Sequence, residues 1–359
     1  MDTVEISRFL TAMTLAVHII FATIGVGMPL MFAIAEFLGI RKNDLQYIAM
    51  AKRWAKAYTI TVAVGVVTGT IIGLQLSLIW PTFMEMGGHV ITTAGMTMAF
   101  VIASIAAFKL LRNRQPKDTV YHKKALKMSM IVGFFSTLLS MLAGDLSAKF
   151  LHKFQPEKLA AYEWHFDTSS HAKLLLFGVL DEKTQQVKGA IELPGLLSFL
   201  ADNSVKTKVQ GLNDFPKSLH PPMIVHYFFD LMVTMGILCF VISGVYVLTL
   251  MFKKLRNFST HKWMLYGILL TGPASMLAIE FGWFLTEMGR QPWIVRGYMR
   301  VAEAATQAGG ITFVTILFGI LYTILMYTCA YVLIRMFKNK PAYEDVNRLA
   351  KKQGGEIEK

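Results

Sequence analysis

Glu280 stands in MLAIEFGWFLTEMGRQPW, near the end of an apolar run long enough to cross a bilayer. A carboxylate at membrane depth is costly unless something compensates it, so its natural company is a proton path, a cation or a metal. A glutamate at the membrane–water boundary is the plain alternative. His18 lies midway in LTAMTLAVHIIFATIGVGMP, followed by Gly25 and Gly27. A lone helical histidine is more often a hydrogen-bonded packing residue, yet small residues beside it let a flat macrocycle or another helix approach the backbone. HPPMIVHYFFDLMVTMG puts His226 and Asp230 four apart on one helix face, where they can simply pair. Met232 lies deeper in the same run. Methionine is common core filler and the chain has 22 of them. His and Met together are nevertheless the ligand types of a low-spin haem iron, and Glu280 adds an oxygen ligand.

These residues need helices at membrane depth to position them. The 359-residue chain is 54% hydrophobic and only 16% charged, which excludes an ordinary soluble domain and fits a multi-span α-helical membrane protein. Seven apolar segments stand out, at 9–39, 57–80, 90–111, 126–147, 222–252, 263–287 and 308–337. Each supplies the ~20 residues that span a ~30 Å hydrocarbon core. Cys239 and Cys329 both lie in apolar runs and read as small buried hydrophobes, not as a disulfide or a zinc site. No cleaved signal peptide is expected, because acidic residues precede the first apolar run and no A-x-A-like site follows it.

The net charge of +13 invites a nucleic-acid reading, but the basic residues cluster between apolar spans and read as membrane anchors. RKNDLQYIAMAKRWAK, RNRQPKDTVYHKK, KKLRNFSTHK and the tail after Arg335 are basic, while PTFMEMGGH has no Lys or Arg. The positive-inside rule then puts the N-terminus outside and the C-terminus in the cytoplasm. GRQPWIVRGYMR, with three arginines on the outer side, violates that rule locally. Four units follow: a bundle of four spans over 1–147, an external loop over 148–220, a bundle of three spans over 221–340 and a cytoplasmic tail over 341–359. A loop of that length is usually functional or disordered. Phe150, Phe154, Tyr162, Trp164 and Phe166 argue for order near its start, and Lys158 and Glu163 within it read, on residue type alone, as a solvated pair.

SRFLTAMTLAVHIIFATIGVGMPLMFAIAE, AKAYTITVAVGVVTGTIIGLQLSLIW, AIEFGWFLTEMGRQPW and the loop segment EKLAAYE together resemble subunit I of cytochrome bd quinol oxidases, over nearly the whole chain. The GRQPW that follows E-x-G-W is the most specific of these motifs, and the loop is similar to the family's short quinol loop. The resemblance implies an all-α multi-pass bundle in the bacterial cytoplasmic membrane that oxidises quinol and reduces dioxygen to water. It implies haem b in low-spin and high-spin forms, with haem d or a second high-spin haem b, and a heterodimer with a second multi-span subunit in the lipid bilayer. By the resemblance His18 serves the high-spin haem pair, Glu280 ligates a high-spin haem iron and Met232 ligates the low-spin one. Lys158 and Glu163 become the quinol-binding pair, and Trp283, Arg290, Gln291 and Trp293 support the site.

The family has nine helices in this subunit, against about seven here. Its third and fourth helices find no counterpart at about residues 89–92, and their loss preserves the inside/outside parity of everything downstream. The absent stretch carries the family's membrane-embedded acidic pair. The low-spin haem also needs a histidine near the start of the following helix. His89 stands near that point, but about one residue out of register with Gly95, and a one-residue shift turns a helical side chain by ~100°. His226 is a second possibility, although at i, i+6 it cannot sit opposite Met232 on one iron. A natural short homologue and a deletion in the gene or its assembled sequence both explain the gap, and the clean junction favours the deletion. A non-catalytic or defective homologue, or a transporter using Glu280 in a proton relay, is the alternative function. No inverted repeat supports the transporter.

Overall fold

The computed structural model describes residues 3–79, 87–112, 116–295, 297–304, 311–338 and 340–352, with the side chains of 3, 4, 7, 8, 70–79, 87–91, 116, 294, 295, 302, 304 and 352 outside that description. The apolar runs become long helices: α1 (Thr3–Lys42), α2 (Leu45–Ile79), α3 (Gly87–Arg112) and α4 (Thr119–Phe154). A short α5 (Pro156–Tyr162) opens the loop and α6 (Leu196–Asp202) lies within it. Then come α7 (Val225–Met251), α8 (Lys262–Gly289), a one-turn α9 (Val301–Ala304), α10 (Ile311–Lys338) and an amphipathic α11 (Ala342–Lys352). Among the described residues six helices are long and apolar enough to cross a membrane, within α1, α3, α4, α7, α8 and α10. The seventh expected span, 57–80, falls in α2, which runs unbroken to Ile79.

Helix packing follows membrane rules, with small and hydroxyl residues inside and large apolar ones outside. On α4, Ser129, Ser136, Thr137 and Ser140 are buried while Phe135, Leu139, Leu142 and Leu146 are exposed. The centre is α3, which lies along α1, α4 and α8, and α7 packs on α8 and α4. Gly272 makes the α3–α8 approach possible: a side chain there would run into Ser104, whose hydroxyl donates to the Leu269 carbonyl at 2.7 Å. Cys239 and Cys329 are both free and buried, as small hydrophobes would be.

The loop is folded throughout, well beyond the order expected near its start. Helix α4 runs seven residues past 147, through Phe154, and α5 follows it almost directly. Strand β1 (Leu174–Leu176) pairs antiparallel with β4 (Ile191–Leu193), enclosing a second hairpin of β2 (Val179–Asp181) and β3 (Gln186–Lys188). Leu174, Leu197, Val209 and Leu212 form a core of its own with Leu159, Val225 and Leu285. This core rests on the start of α7 and the end of α8. After α8 a hairpin of β5 (Trp293–Val295) and β6 (Met299–Arg300) adds to the same end.

At the opposite end the tail is strapped down. Asp118, buried, accepts the N–H groups of Ala342 and Tyr343 at 3.1 and 2.8 Å. Arg53 pairs with Asp345, donates to the Lys340 carbonyl at 2.7 Å and lies 5.1 Å from the Phe337 ring. The stretch read as a cytoplasmic tail thus begins with a docked helix that runs to Lys352. Arg53→Ala strands a partly buried carboxylate and a carbonyl, at about 1.5–3 kcal/mol for hydrogen bonds to a charged group. Hydrogen exchange of the α11 amides should speed up by about tenfold or more, with exchange in α7 unchanged.

Candidate functional site

His18 sits in α1 against α2. Its Nδ1 lies 3.0 Å from Thr68 Oγ1, and Thr68 in turn donates its single hydroxyl proton to the Val64 or Gly65 carbonyl, at 3.2 and 3.1 Å. The hydroxyl is therefore the acceptor toward His18, which fixes the Nδ1–H tautomer and leaves a lone pair on Nε2. Gly69 clears the space: a Cβ there would stand 3.1 Å from His18 Cε1. A histidine with one nitrogen anchored and the other open is the arrangement of a metal ligand with its supporting hydrogen bond.

Met232 of α7 packs against α8 at Gly282, and Glu280 lies two residues earlier on α8, turned about 200° from that contact. The Met232 sulfur would lie 3.0 Å from a Cβ on Gly282, so it reaches the α8 backbone two residues from Glu280. Both carboxylate oxygens of Glu280 are buried, and neither has a hydrogen-bond partner among the described residues. That is a buried acceptor with nothing to accept, which a metal centre resolves. No group of three or more His, Cys, Asp or Glu able to hold an ion by itself exists among the described residues. Single donors spread over several helices suit an iron whose equatorial positions a porphyrin fills.

Glu287 was not singled out by the sequence reading. It lies two turns beyond Glu280 on the same face of α8, pairs through Oε1 with Arg290 and keeps Oε2 buried without a partner. The signal was its place directly before GRQPW, masked because E-x-x-R resembles an ordinary helix-end ion pair. Of the other supporting residues, Trp283 is half-buried in α8 and the Gln291 N–H donates to the Met288 carbonyl at 3.2 Å. Arg300 lies 5.2 Å from the Trp293 ring. His89 falls in the first turn of α3, on the helix and not in the loop the upstream match implied, and its side chain is outside the described residues.

His226, the second possibility for the low-spin haem, is anchored to the loop through one ring nitrogen. Its Nδ1 is 2.6 Å from the Tyr162 carbonyl, while its Nε2, 3.3 Å from Asp230 Oδ2, makes no hydrogen bond among the described residues. It pairs with Asp230, as the four-residue spacing allowed.

The solvated reading of Lys158 and Glu163 is overturned. Both are buried, at 8% and 3% exposure, because α5 is wedged between α4, α7 and α8. Nor do they form an ion pair with each other among the described contacts. Burial, with Arg290 adding repulsion, pushes the Lys158 ammonium down to about 8. Its Nζ lies 5.8 Å from the Tyr162 ring. Burial and the neighbouring Asp230 carboxylate push Glu163 up to about 8, and its Oε2 has no partner. The adjoining Glu157 lines a cavity of about 380 Å³ with Phe215, Leu219, Trp293 and Gly297. The cavity's aromatic and aliphatic walls, with Glu157 the one charged residue among them, suit a largely apolar small molecule.

The sequence profile described as cytochrome bd terminal oxidase subunit I matches residues 6–92 and 87–341. The chain belongs to that family. A Bacillus subtilis (strain 168) protein, provisionally named a cytochrome bd menaquinol oxidase subunit I, is 34% identical over 97% of this chain and 99% of its own. The cytochrome bd ubiquinol oxidase subunit 1 of the same organism is 25% identical over 96% of each. In three dimensions the chain matches the bd oxidase from Geobacillus thermodenitrificans with a TM-score of 0.86 and 41% identity, over 95% of this chain and 99% of that one. The alignment with the first relative has 442 positions, more than this chain has residues, so that relative carries sequence with no counterpart here. The family match itself breaks into two stretches that meet at 87–92, where the helices were expected to be missing. A multi-pass membrane chain of a quinol-oxidase subunit family is therefore shown, in a shorter form.

Proposed function

We propose that this chain is the haem-bearing subunit of a bacterial quinol oxidase, seated in the cytoplasmic membrane beside a second multi-span subunit. The N-terminus and the loop 148–220 face outward, and the C-terminus faces the cytoplasm. Quinol is oxidised at the loop, at Lys158 and Glu163, and dioxygen is reduced to water between His18 and the α8 carboxylates. The reading rests on one observation above the rest: both carboxylate oxygens of Glu280, at membrane depth in α8, are buried with no hydrogen-bond partner among the described residues. His18 Nε2 and Glu280 would hold high-spin haem, b-type with haem d or a second haem b, and Met232 would hold the low-spin haem b. Bound haem supplies one-electron transfer and oxygen chemistry, while the chain sets ligand type and access. The chain's own residues take the quinol protons, orient the head group and keep water from the α7–α8 seam.

Membranes containing the chain and its second subunit should give reduced-minus-oxidised haem bands and quinol-driven oxygen uptake. Glu280→Ala should remove a high-spin band, since both its oxygens are free, whereas Glu287 already spends one on Arg290. Loss of that band in Glu287→Ala instead would move the ligand two turns toward the loop. Retention in both would end the assignment of an α8 ligand. A second reading, an assembled but inactive short form, draws on the break in the family match at 87–92. Haem bands without oxygen uptake would establish it.

A further inference from the structure

Two residues of α7 hold the loop in a way the site described above does not use. His226 and Asp230 are buried to 0% and 1% side-chain exposure. The Tyr162 carbonyl can only accept, so the imidazole Nδ1 that lies 2.6 Å from it carries the proton. The same ring stacks on the Trp164 indole, with centroids 3.9 Å apart and planes at 25°. Tyr162 and Trp164 are the two chain neighbours of Glu163. One imidazole thus grips the backbone on one side of that acid and the side chain on the other.

The grip is reinforced at both ends. Trp164 Nε1–H donates to the Met223 carbonyl at 2.9 Å, and Trp164 holds a φ of +46°, which a bulky residue keeps only where its surroundings enforce it. Asp230 Oδ2 faces His226 Nε2 at 3.3 Å and accepts the Phe177 N–H at 2.5 Å. Phe177, also at positive φ (+60°), lies between β1 and β2. A pair four residues apart on one helix therefore ties down two loop segments distant in sequence. Stability alone is a poor reason for it, because a buried ionisable pair gains little over well-packed apolar residues of the same volume.

We propose that His226, backed by Asp230, is a positioning pair for quinol oxidation, fixing the peptide on both sides of Glu163 and so the place where its carboxylate meets the quinol hydroxyl. This rests on the reading of the loop as the quinol site. Proton transfer demands close placement, and a shift of about 1 Å can cost a hundredfold in rate.

His226→Phe keeps a ring against Trp164 but removes the Nδ1 donor, and His226→Asn returns an N–H near that place. Both are measured in membranes with the second subunit, by quinol-driven oxygen uptake and by the dithionite-reduced haem spectrum. The Phe variant should lose about tenfold or more in kcat with KM within about threefold and an unchanged spectrum, and Asn should recover most of the loss. A Phe variant with parental kcat, an Asn variant as slow as Phe, or a change confined to KM would each overturn the proposal. Should the Phe variant not assemble, Asp230→Asn, which keeps an oxygen for Phe177, is read by the same criteria. Parent membranes with haem bands but no quinol-driven uptake would instead count against the quinol-oxidase reading. The clamp then remains readable as faster protease cleavage within 148–220 in the Phe variant, and unchanged cleavage would overturn it.

Discussion

His18→Ala should abolish quinol-driven oxygen uptake and remove a high-spin haem band while leaving the low-spin band in place. The expected effect is large because, in the function proposed above, His18 is one of the donors that would hold the high-spin haem. His18 is held to α2 by Thr68, and its close approach to Gly69 also fits a packing role. The two roles separate through Thr68. Thr68→Val removes the acceptor that fixes the Nδ1–H tautomer and keeps the volume, so a ligand role predicts about a 10–100-fold loss in haem affinity or activity. A packing role predicts almost none, since Val and Thr fill the same space beside the ring. Retention of both haem bands in His18→Ala, with oxygen uptake near the parent, would remove His18 from the centre altogether.

How far the sequence could be read follows from where each residue gets its neighbours. The spans were legible because length and apolarity are local properties, and the gap at 87–92 was legible because it interrupts matching segments. Which face of each helix turns inward was not legible from hydrophobic period. Lipid is as apolar as a core, so Phe135 and Leu139 face outward while Ser136 and Ser140 of the same helix are buried. The loop misled for the opposite reason. Lys158 and Glu163 look solvated in sequence, and only contacts with residues far along the chain bury them. Tyr162, for example, donates to the Leu285 carbonyl at 3.2 Å, and Val209 and Leu212 join the same core. His226 and Asp230 could be paired from spacing, but nothing local announced that the pair would reach Tyr162 and Phe177. Glu287 went unnoticed because its partner Arg290 is three residues away, a spacing that surface helices use routinely.

Glu163→Gln should lower quinol oxidation by about 10²–10⁴-fold, the usual range for losing a general base, without altering either haem band. The carboxylate can accept a quinol proton only when it is ionised. Burial first, and the Asp230 charge second, push its proton affinity up to about 8, so at neutral pH it is largely protonated. The rate should therefore rise with pH through about 8. Lys158 acts in the opposite sense: burial first, and Arg290 second, push it down to about 8, so its positive charge is lost as pH rises through the same window. If the ammonium steadies a quinol oxygen that becomes negative, this adds a falling limb, and the profile is a narrow bell near 8. The two limbs can be removed one at a time. Lys158→Met should leave only the rise, on a lower plateau, and Asp230→Asn should move the rise to lower pH by taking away the neighbouring negative charge, beneath the lowered kcat expected from loss of its positioning role. The measurement is kcat against pH in membranes of each variant. A parent profile flat from pH 6 to 9, or one whose rising limb survives Glu163→Gln, would assign the proton to another group.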